Sequence, residues 1–425
     1  MNVKKTAAAA LALSAALMAA PALADGFAVY ENSARGVGMS GAMMFSDEAS
    51  LVACNPAGLW RLKDNGRGQI SGAVTYIAPR GKADFYHDDG SFDHSEHNKN
   101  NPAYVPTLFW AKKLSDRWAI GVGAFARFGL RATYESGWYG RYSSRSAEYA
   151  AVSISPAVSY RLAKNLHLGL TGEIMYAQLK MDKSMYNPSF GGEVPLDLKG
   201  DNIGFGWGVG LDWQASDKLS LAFLYRSEVK LDLKGDLNLH TPLGVIGTSA
   251  HGIEHMPESY TFGVGWKFDD RTRMEFNAIK TMWNSYDQLT VIAKVPAAYQ
   301  MMFGGLSEYA LTEYKHWRNG WRYQFGIEHK LNDRWTIRAG FTYDTASANK
   351  ADFNDYMVPT GTRRTYTIGA SYRNKNVEYS LGYGWMYVSD KDINYASPTS
   401  PSGRQRSRTR GCDAHIISLG ARIDL

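Results

Sequence analysis

Long stretches of this chain alternate between apolar and polar residues with a period of two. From Arg334 to Asp344, Trp335, Ile337, Ala339, Phe341 and Tyr343 fall on one face, and Arg334, Thr336, Arg338, Gly340, Thr342 and Asp344 on the other. A strand separates these two sets, whereas a helix would scatter them round its surface. The pattern recurs at Val377, Tyr379, Leu381, Tyr383 and Trp385, at Phe205 to Trp213 between glycines, and at Tyr260 to Phe268. Each run is about 10 to 15 residues, longer than the ~5–6 of soluble sheets and close to what a tilted strand needs to cross a bilayer. Aromatic residues gather at the run ends, as membrane–water interfaces favour.

The connections alternate too. Short polar turns sit at Ser115-Asp116, Ala163-Lys164, Ser216-Asp217, Asp269-Asp270, Asn332-Asp333 and Asn374-Lys375. Between them lie long polar connections near 80–103, 129–145, 181–200, 236–256, 285–319, 345–360 and 389–413, read as irregular external loops. Tight turns on one side and long loops on the other are the pattern of an outer-membrane barrel of about 14 antiparallel strands. The sheet must close, because lipid leaves no backbone group to be satisfied by water. The last run, with Ile417, Leu419, Ala421, Ile423 and Leu425 facing lipid, completes the wall, although it ends in Leu425 where such barrels commonly end in an aromatic residue.

Composition removes other classes. With 44% hydrophobic and 13% aromatic residues the chain is not disordered, and Cys 2 in 425 residues is no disulfide scaffold. Past the N-terminus no apolar run approaches the ~20 residues of a membrane helix. A net charge of +6 is too mild for a nucleic-acid partner. At the N-terminus Lys4 and Lys5, an apolar stretch from Ala7 to Ala20 and Ala22-Leu23-Ala24 read as a signal peptide over 1–24, cleaved after Ala24 on export to the bacterial outer membrane.

Residues 25–66 do not alternate. They are rich in Gly, Ala and Ser, and Asp47-Glu48-Ala49-Ser50 can open a helix. About 40 residues cannot fold alone. They are expected to form a hatch in the lumen of a barrel over 67–425.

In this segment GFAVYENSARGVGMSGAMMFSDEASLVACNPAGL resembles the N-terminal hatch of the FadL/TodX family of outer-membrane transporters for long-chain fatty acids and other hydrophobic compounds, with Asn55-Pro56-Ala57 matching its hatch motif. Further matches follow in order at Tyr225 to Lys230, Pro257-Glu258, Trp283-Asn284-Ser285-Tyr286 and Pro359 to Tyr372. The resemblance covers essentially the whole exported chain. It implies fourteen strands plus a hatch, a ligand pocket within the barrel, release by movement of the hatch, and sideways exit at an inward kink of the third strand. Here that kink falls on Phe128, Gly129 and Leu130. The family's basic head-group residues map to Arg318 and to a place where this chain has Gln178, with Lys180 two residues on.

The expected function is therefore passive, facilitated diffusion of long-chain fatty acids or similar hydrophobic molecules by a monomeric barrel that is not an enzyme. Uptake of aromatic hydrocarbons is the alternative within the family. A hydrolase is the rival class, but no G-x-S-x-G or other nucleophile motif accompanies the loop histidines. No cofactor is implied, and His87, His94 and His97 among Asp88, Asp89, Asp93 and Glu96 read as a solvated acidic loop. Arg404, Arg406, Arg408 and Arg410 could meet lipopolysaccharide phosphates. Arg226, Glu228, Lys230, Asp232 and Lys234 share one face of an expected seventh strand, as an inward ion-pair ladder. Val295, Ala297, Met301, Met302, Phe303 and Leu306 could line an outer capture groove.

Overall fold

The computed structural model describes residues 26–425 apart from 64, 100, 349, 359–360, 397–399 and 401–403. The signal peptide expected over 1–24 lies outside the described residues. Among the described residues six strands belong to the external connections: β2 (Phe92–His97), β9 (Val229–Thr241), β10 (Gly244–Met256), β13 (Gln288–Lys294), β14 (Glu308–Tyr314) and β19 (Lys391–Ala396). Among the described residues the wall is a closed 14-strand antiparallel barrel. In ring order it runs β1 (Gln69–Tyr86), β3 (Ala103–Lys113), β4 (Trp118–Thr133), β5 (Ser146–Ala163), β6 (Leu166–Asn187), β7 (Gly192–Gln214) and β8 (Leu219–Arg226). It continues through β11 (Ser259–Lys267), β12 (Thr272–Thr281), β15 (Gly320–Lys330), β16 (Trp335–Asp344), β17 (Arg363–Asn374), β18 (Val377–Val388) and β20 (Arg404–Asp424). Pairing of β20 with β1, from Gln69↔Asp424 to Tyr86↔Arg406, shuts the ring.

The short turns fall where the sequence puts them, each joining two neighbouring wall strands. The long connections differ. The stretch 181–200 is not an irregular loop: β6 and β7 stay paired from Leu166↔Trp213 to Asn187↔Gly192. The stretches 236–256 and 285–319 hold the hairpins β9–β10 and β13–β14. Alternating leucines give these extensions an apolar face to bury, which is why they pair instead of staying solvated.

The alternation has an unexpected turn along β6. Its lower half points Leu166, Leu168, Leu170 and Ile174 outward and His167, Thr171 and Glu173 inward. Its upper half keeps the same phase but reverses polarity: Met175, Ala177, Leu179 and Met181 are buried inside, while Gln178 and Lys180 are on the outer face. Below, the outside is oil; above, the outside is water and the inside is greasy. The expected ion-pair ladder is likewise divided, because the chain leaves the wall at Ser227. Arg226 is buried inward, whereas Lys230 and Lys234 are exposed on β9 behind buried Val229, Leu231 and Leu233.

The hatch fills the lower lumen with short helices over Ala34–Gly38 and Leu51–Cys54 and a 3-10 turn over Pro56–Arg61. Ser33 caps the first, its Oγ accepting from the Gly36 amide at 3.0 Å. The Asn55-Pro56-Ala57 triplet lies against β5, β6 and β7: the Ser159 hydroxyl donates to the Ala57 carbonyl at 2.9 Å, and a Cβ on Gly169 would sit 2.1 Å from the Ala57 nitrogen. Inward glycine is what lets hatch backbone reach wall backbone. Ion pairs complete the anchorage. Glu328 accepts from Arg35 at 2.9 Å, Arg273 at 2.9 Å and Arg338 at 2.6 Å. Asp212, fully buried, takes Arg61 at 2.7 Å.

Candidate functional site

The third wall strand, β4, carries the decisive irregularity. It pairs with β3 only from Leu108↔Ala124 to Lys113↔Ala119. Against β5 it runs on to Thr133↔Ser146, with one extra residue between Ala126 and Phe128. That residue is Arg127, so the bend is a β-bulge at an arginine. Beyond it Phe128 and Leu130 are buried at 2% and 4% exposure. Arg127 donates to Glu173 at 2.7 Å and to the Pro257 carbonyl at 3.0 Å, and Ser153 donates to the same Glu173 at 2.5 Å.

The edge that β4 withdraws from β3 is taken by the N-terminus of the hatch. The Val29 amide donates to the Arg127 carbonyl and the Gly129 amide to the Phe27 carbonyl, both at 2.9 Å, flanking the bridge Ala28↔Phe128. Phe27 is thereby seated among rings: Trp283 at 4.9 Å between centroids, Tyr149 at 5.4 Å, Tyr286 at 5.5 Å, Phe128 at 6.0 Å and Trp317 at 6.1 Å. Gly26 has φ +59, and a Cβ there would lie 2.4 Å from Trp283, so only glycine passes beneath that indole. Arg363, buried, donates to the Gly26 carbonyl at 3.2 Å.

Outward from this cage the apolar lining is continuous, one buried cluster joining Phe27, Phe128, Leu179, Leu198, Leu233 and Leu239. It opens into two cavities. One is lined by Leu179, Leu198, Leu233, Leu289 and Val291 together with Glu254. The other lies between the hairpins, among Leu196, Leu237, Leu239, Ile246, Phe303 and Leu311. Val295 and Phe303 of the expected capture surface line this outer groove, whereas Met301 and Leu306 are exposed. On the inner side a cavity separates hatch from wall beside Ala28, Phe128, Arg127 and Arg226.

The head-group residues expected from the sequence are dispersed. Gln178 and Lys180 face away from the lumen, Lys180 beside Glu148 at 3.6 Å. Arg318 is exposed, its Nε donating to the Ala346 carbonyl at 3.3 Å. The buried charges near the cage are others: Lys183 to Glu313 at 2.8 Å, Lys315 to Glu313 at 3.1 Å and Lys315 to Asp355 at 2.5 Å. Despite burial, Asp355 and Glu313 hold the Lys315 amine well above its ordinary range. Sequence reading missed Tyr149 and Glu254, and Phe27 and Arg363 lay within quoted matches without an assigned role. Trp283 and Tyr286 lay within a quoted match, without an assigned role.

Glu254 sits on the external hairpin, outside the membrane-spanning wall. Burial pushes its carboxyl up from 4.5 to about 7, against the weaker pull of the Tyr149 hydroxyl and Lys315. Between these values the folded chain keeps a proton that the unfolded chain has lost, so stability falls as pH rises through the window. Glu254→Gln is expected to match wild type at pH 4 and to exceed it by about 3 kcal/mol at pH 8, read as the unfolding midpoint by tryptophan fluorescence. An equal midpoint at both pH values would contradict this.

Comparison with known proteins adds to the geometry. Residues 15–425 match the family described as "Outer membrane protein transport protein (OMPP1/FadL/TodX)". The chain is 24% identical over 406 residues to the "47 kDa outer membrane protein" of Pasteurella multocida, covering 88% of this chain and 90% of that one. It is 22% identical over 431 residues to the "Long-chain fatty acid transport protein" of Escherichia coli K12, covering 91% and 93%. In fold it is similar to the crystal structure of a Pseudomonas aeruginosa FadL homologue, with TM-score 0.82 at 21% identity over 94% of this chain and 99% of that one. The P. putida toluene transporter TodX gives TM-score 0.69 at 16% identity, over 91% and 98%.

Proposed function

The chain belongs to the FadL/TodX family of outer-membrane transport proteins, which are transporters and not enzymes, and we propose that it carries long-chain hydrophobic molecules, fatty acids among them, inward by facilitated diffusion. Its place is the bacterial outer membrane. The reading is that a ligand enters the groove between the external hairpins, passes the leucine-lined cavity and displaces Phe27 from its ring cage. Each methylene buried on this route contributes about 0.8 kcal/mol.

One observation carries the proposal: the segment that fills the cage also covers the free edge of β4. A single withdrawal of residues 26–29 would empty the cage for ligand and uncover the interval beside β3, giving a sideways exit at Phe128, Gly129 and Leu130. Arg318, at the rim, is assigned to the first encounter with an anionic head group. Gln178 and Lys180, on the outer face, do not belong to this route. Arg406 and Arg410, exposed near the outer end of β20, are assigned to lipopolysaccharide phosphates, and the Arg404 side chain lies outside the described residues.

The ring cage also favours a second reading, an aromatic hydrocarbon as cargo. The test is uptake of oleate, hexadecane and toluene into vesicles containing the full chain, alongside mass spectrometry of co-purifying lipids. Leu233→Asp, which buries a carboxylate on the route, is expected to lower uptake of the accepted class at least ~10-fold. Wild-type protein showing no saturable binding of any of the three would sink the proposal.

A further inference from the structure

Glu254 is the chemical exception on the apolar route. It is 5% exposed, it lines a cavity whose buried walls are leucine, valine and alanine, with Lys199 and His251 at the exposed border, and its Oε2 has no hydrogen-bond partner among the described residues. Most buried polar atoms are partnered, so an orphan oxygen on a residue that lines a cavity calls for a partner.

The charges around it decide what that occupant is. The facing cation, Lys315, is already matched by Glu313 and Asp355, and Lys183 is matched by the same Glu313. These two lysines and two carboxylates cancel. Lys199 and His251 border the cavity but are exposed residues. Arg127 is held by Glu173 and by backbone carbonyls. A carboxylate arriving here would meet the buried carboxyl of Glu254, with Lys199 and His251 only at the exposed border, in a site that penalises an unpaired charge. A neutral hydroxyl would meet an unused acceptor. The Tyr149 hydroxyl, which donates to the Met256 sulfur at 3.4 Å, belongs to the cage that holds Phe27.

We propose that Glu254 determines specificity by anchoring the head group of the cargo in its uncharged, hydroxyl-bearing form, so that long-chain alcohols and undissociated acids are taken in preference to carboxylates. The inference rests on the transport reading above and names its substrate class. With its carboxyl raised to about 7, Glu254 is partly protonated near neutrality and can donate as well as accept.

The test uses the purified full-length protein in detergent at pH 8, with three probes of equal chain length: 1-dodecanol, dodecanoate and dodecane. Binding is followed by calorimetry. Wild type is expected to bind dodecanol about 10-fold more tightly than either other probe, the worth of one hydrogen bond made against a charge excluded. Glu254→Leu should erase the advantage of dodecanol over dodecane. Glu254→Gln, which keeps a neutral polar group, should retain it, and Glu254→Lys should turn the preference to dodecanoate. Tighter binding of dodecanoate by wild type, or an unchanged preference in Glu254→Leu, overturns the inference and leaves the transport reading intact. Failure of all three probes to bind wild type overturns both.

Discussion

Protein carrying Ala28→Cys and Phe128→Cys is expected to lose uptake when oxidised and to recover it on reduction. The two residues face each other in the isolated bridge between hatch and bulged strand. The flanking hydrogen bonds, Val29 to Arg127 and Gly129 to Phe27, make them a non-hydrogen-bonded antiparallel pair. Such pairs bring Cα atoms to about 4.5 Å, within the range a disulfide spans. Native Cys54 and Cys412 are free and would be replaced by serine in the same background. Oxidation should leave cargo binding at the outer groove and reduce transport at least ~10-fold, because residues 26–29 can no longer withdraw. The reduced form controls for the lost Phe128 ring. Wild-type uptake by fully cross-linked protein would show that cargo leaves without this movement.

The second large effect is expected from Glu328→Ala. Glu328 is 3% exposed and receives three guanidinium groups, from Arg35 of the hatch and from Arg273 and Arg338 of the wall. Removing it leaves these cations facing one another without their shared counter-ion. Loss of one partner from a buried pair costs about 3–5 kcal/mol. The closed wall should survive, since its backbone ladder does not depend on this carboxylate. The hatch should loosen. Conductance in planar bilayers should rise, and protease should cut within 26–62, while the heat-modifiable migration of the barrel is retained. Glu328→Gln should fall between the two. A closed, protease-resistant hatch in Glu328→Ala would contradict the role assigned to this cluster.

Much of the architecture was written in the chain. Period-two runs such as Trp335 to Tyr343 and the final Ile417 to Leu425 define lipid-facing strands, because half of each strand must satisfy hydrocarbon. The short turns fix where the strands reverse. The break in alternation over 25–66 marks a segment that cannot be wall. All of these are local properties, legible without knowing any neighbour.

What the tertiary structure alone decided depends on phase and on distant partners. Gln178 and Lys180, which the resemblance places at the head-group site, would face the lumen only if polar meant inward. That equation holds where the outside is oil and reverses above it, where β6 encloses a greasy route. Arg226 and Lys230 lie four residues apart on one nominal face, yet the departure of the chain at Ser227 leaves one buried and the other exposed. The bulge at Arg127 inserts a single residue, which re-aims everything after it. Phe27, Tyr149, Trp283 and Trp317 become one cage only when segments far apart in sequence converge inside the closed wall. Period and composition record what one strand needs from its surroundings. The register between strands, which sets what each side chain meets, is fixed by pairings that no single run contains.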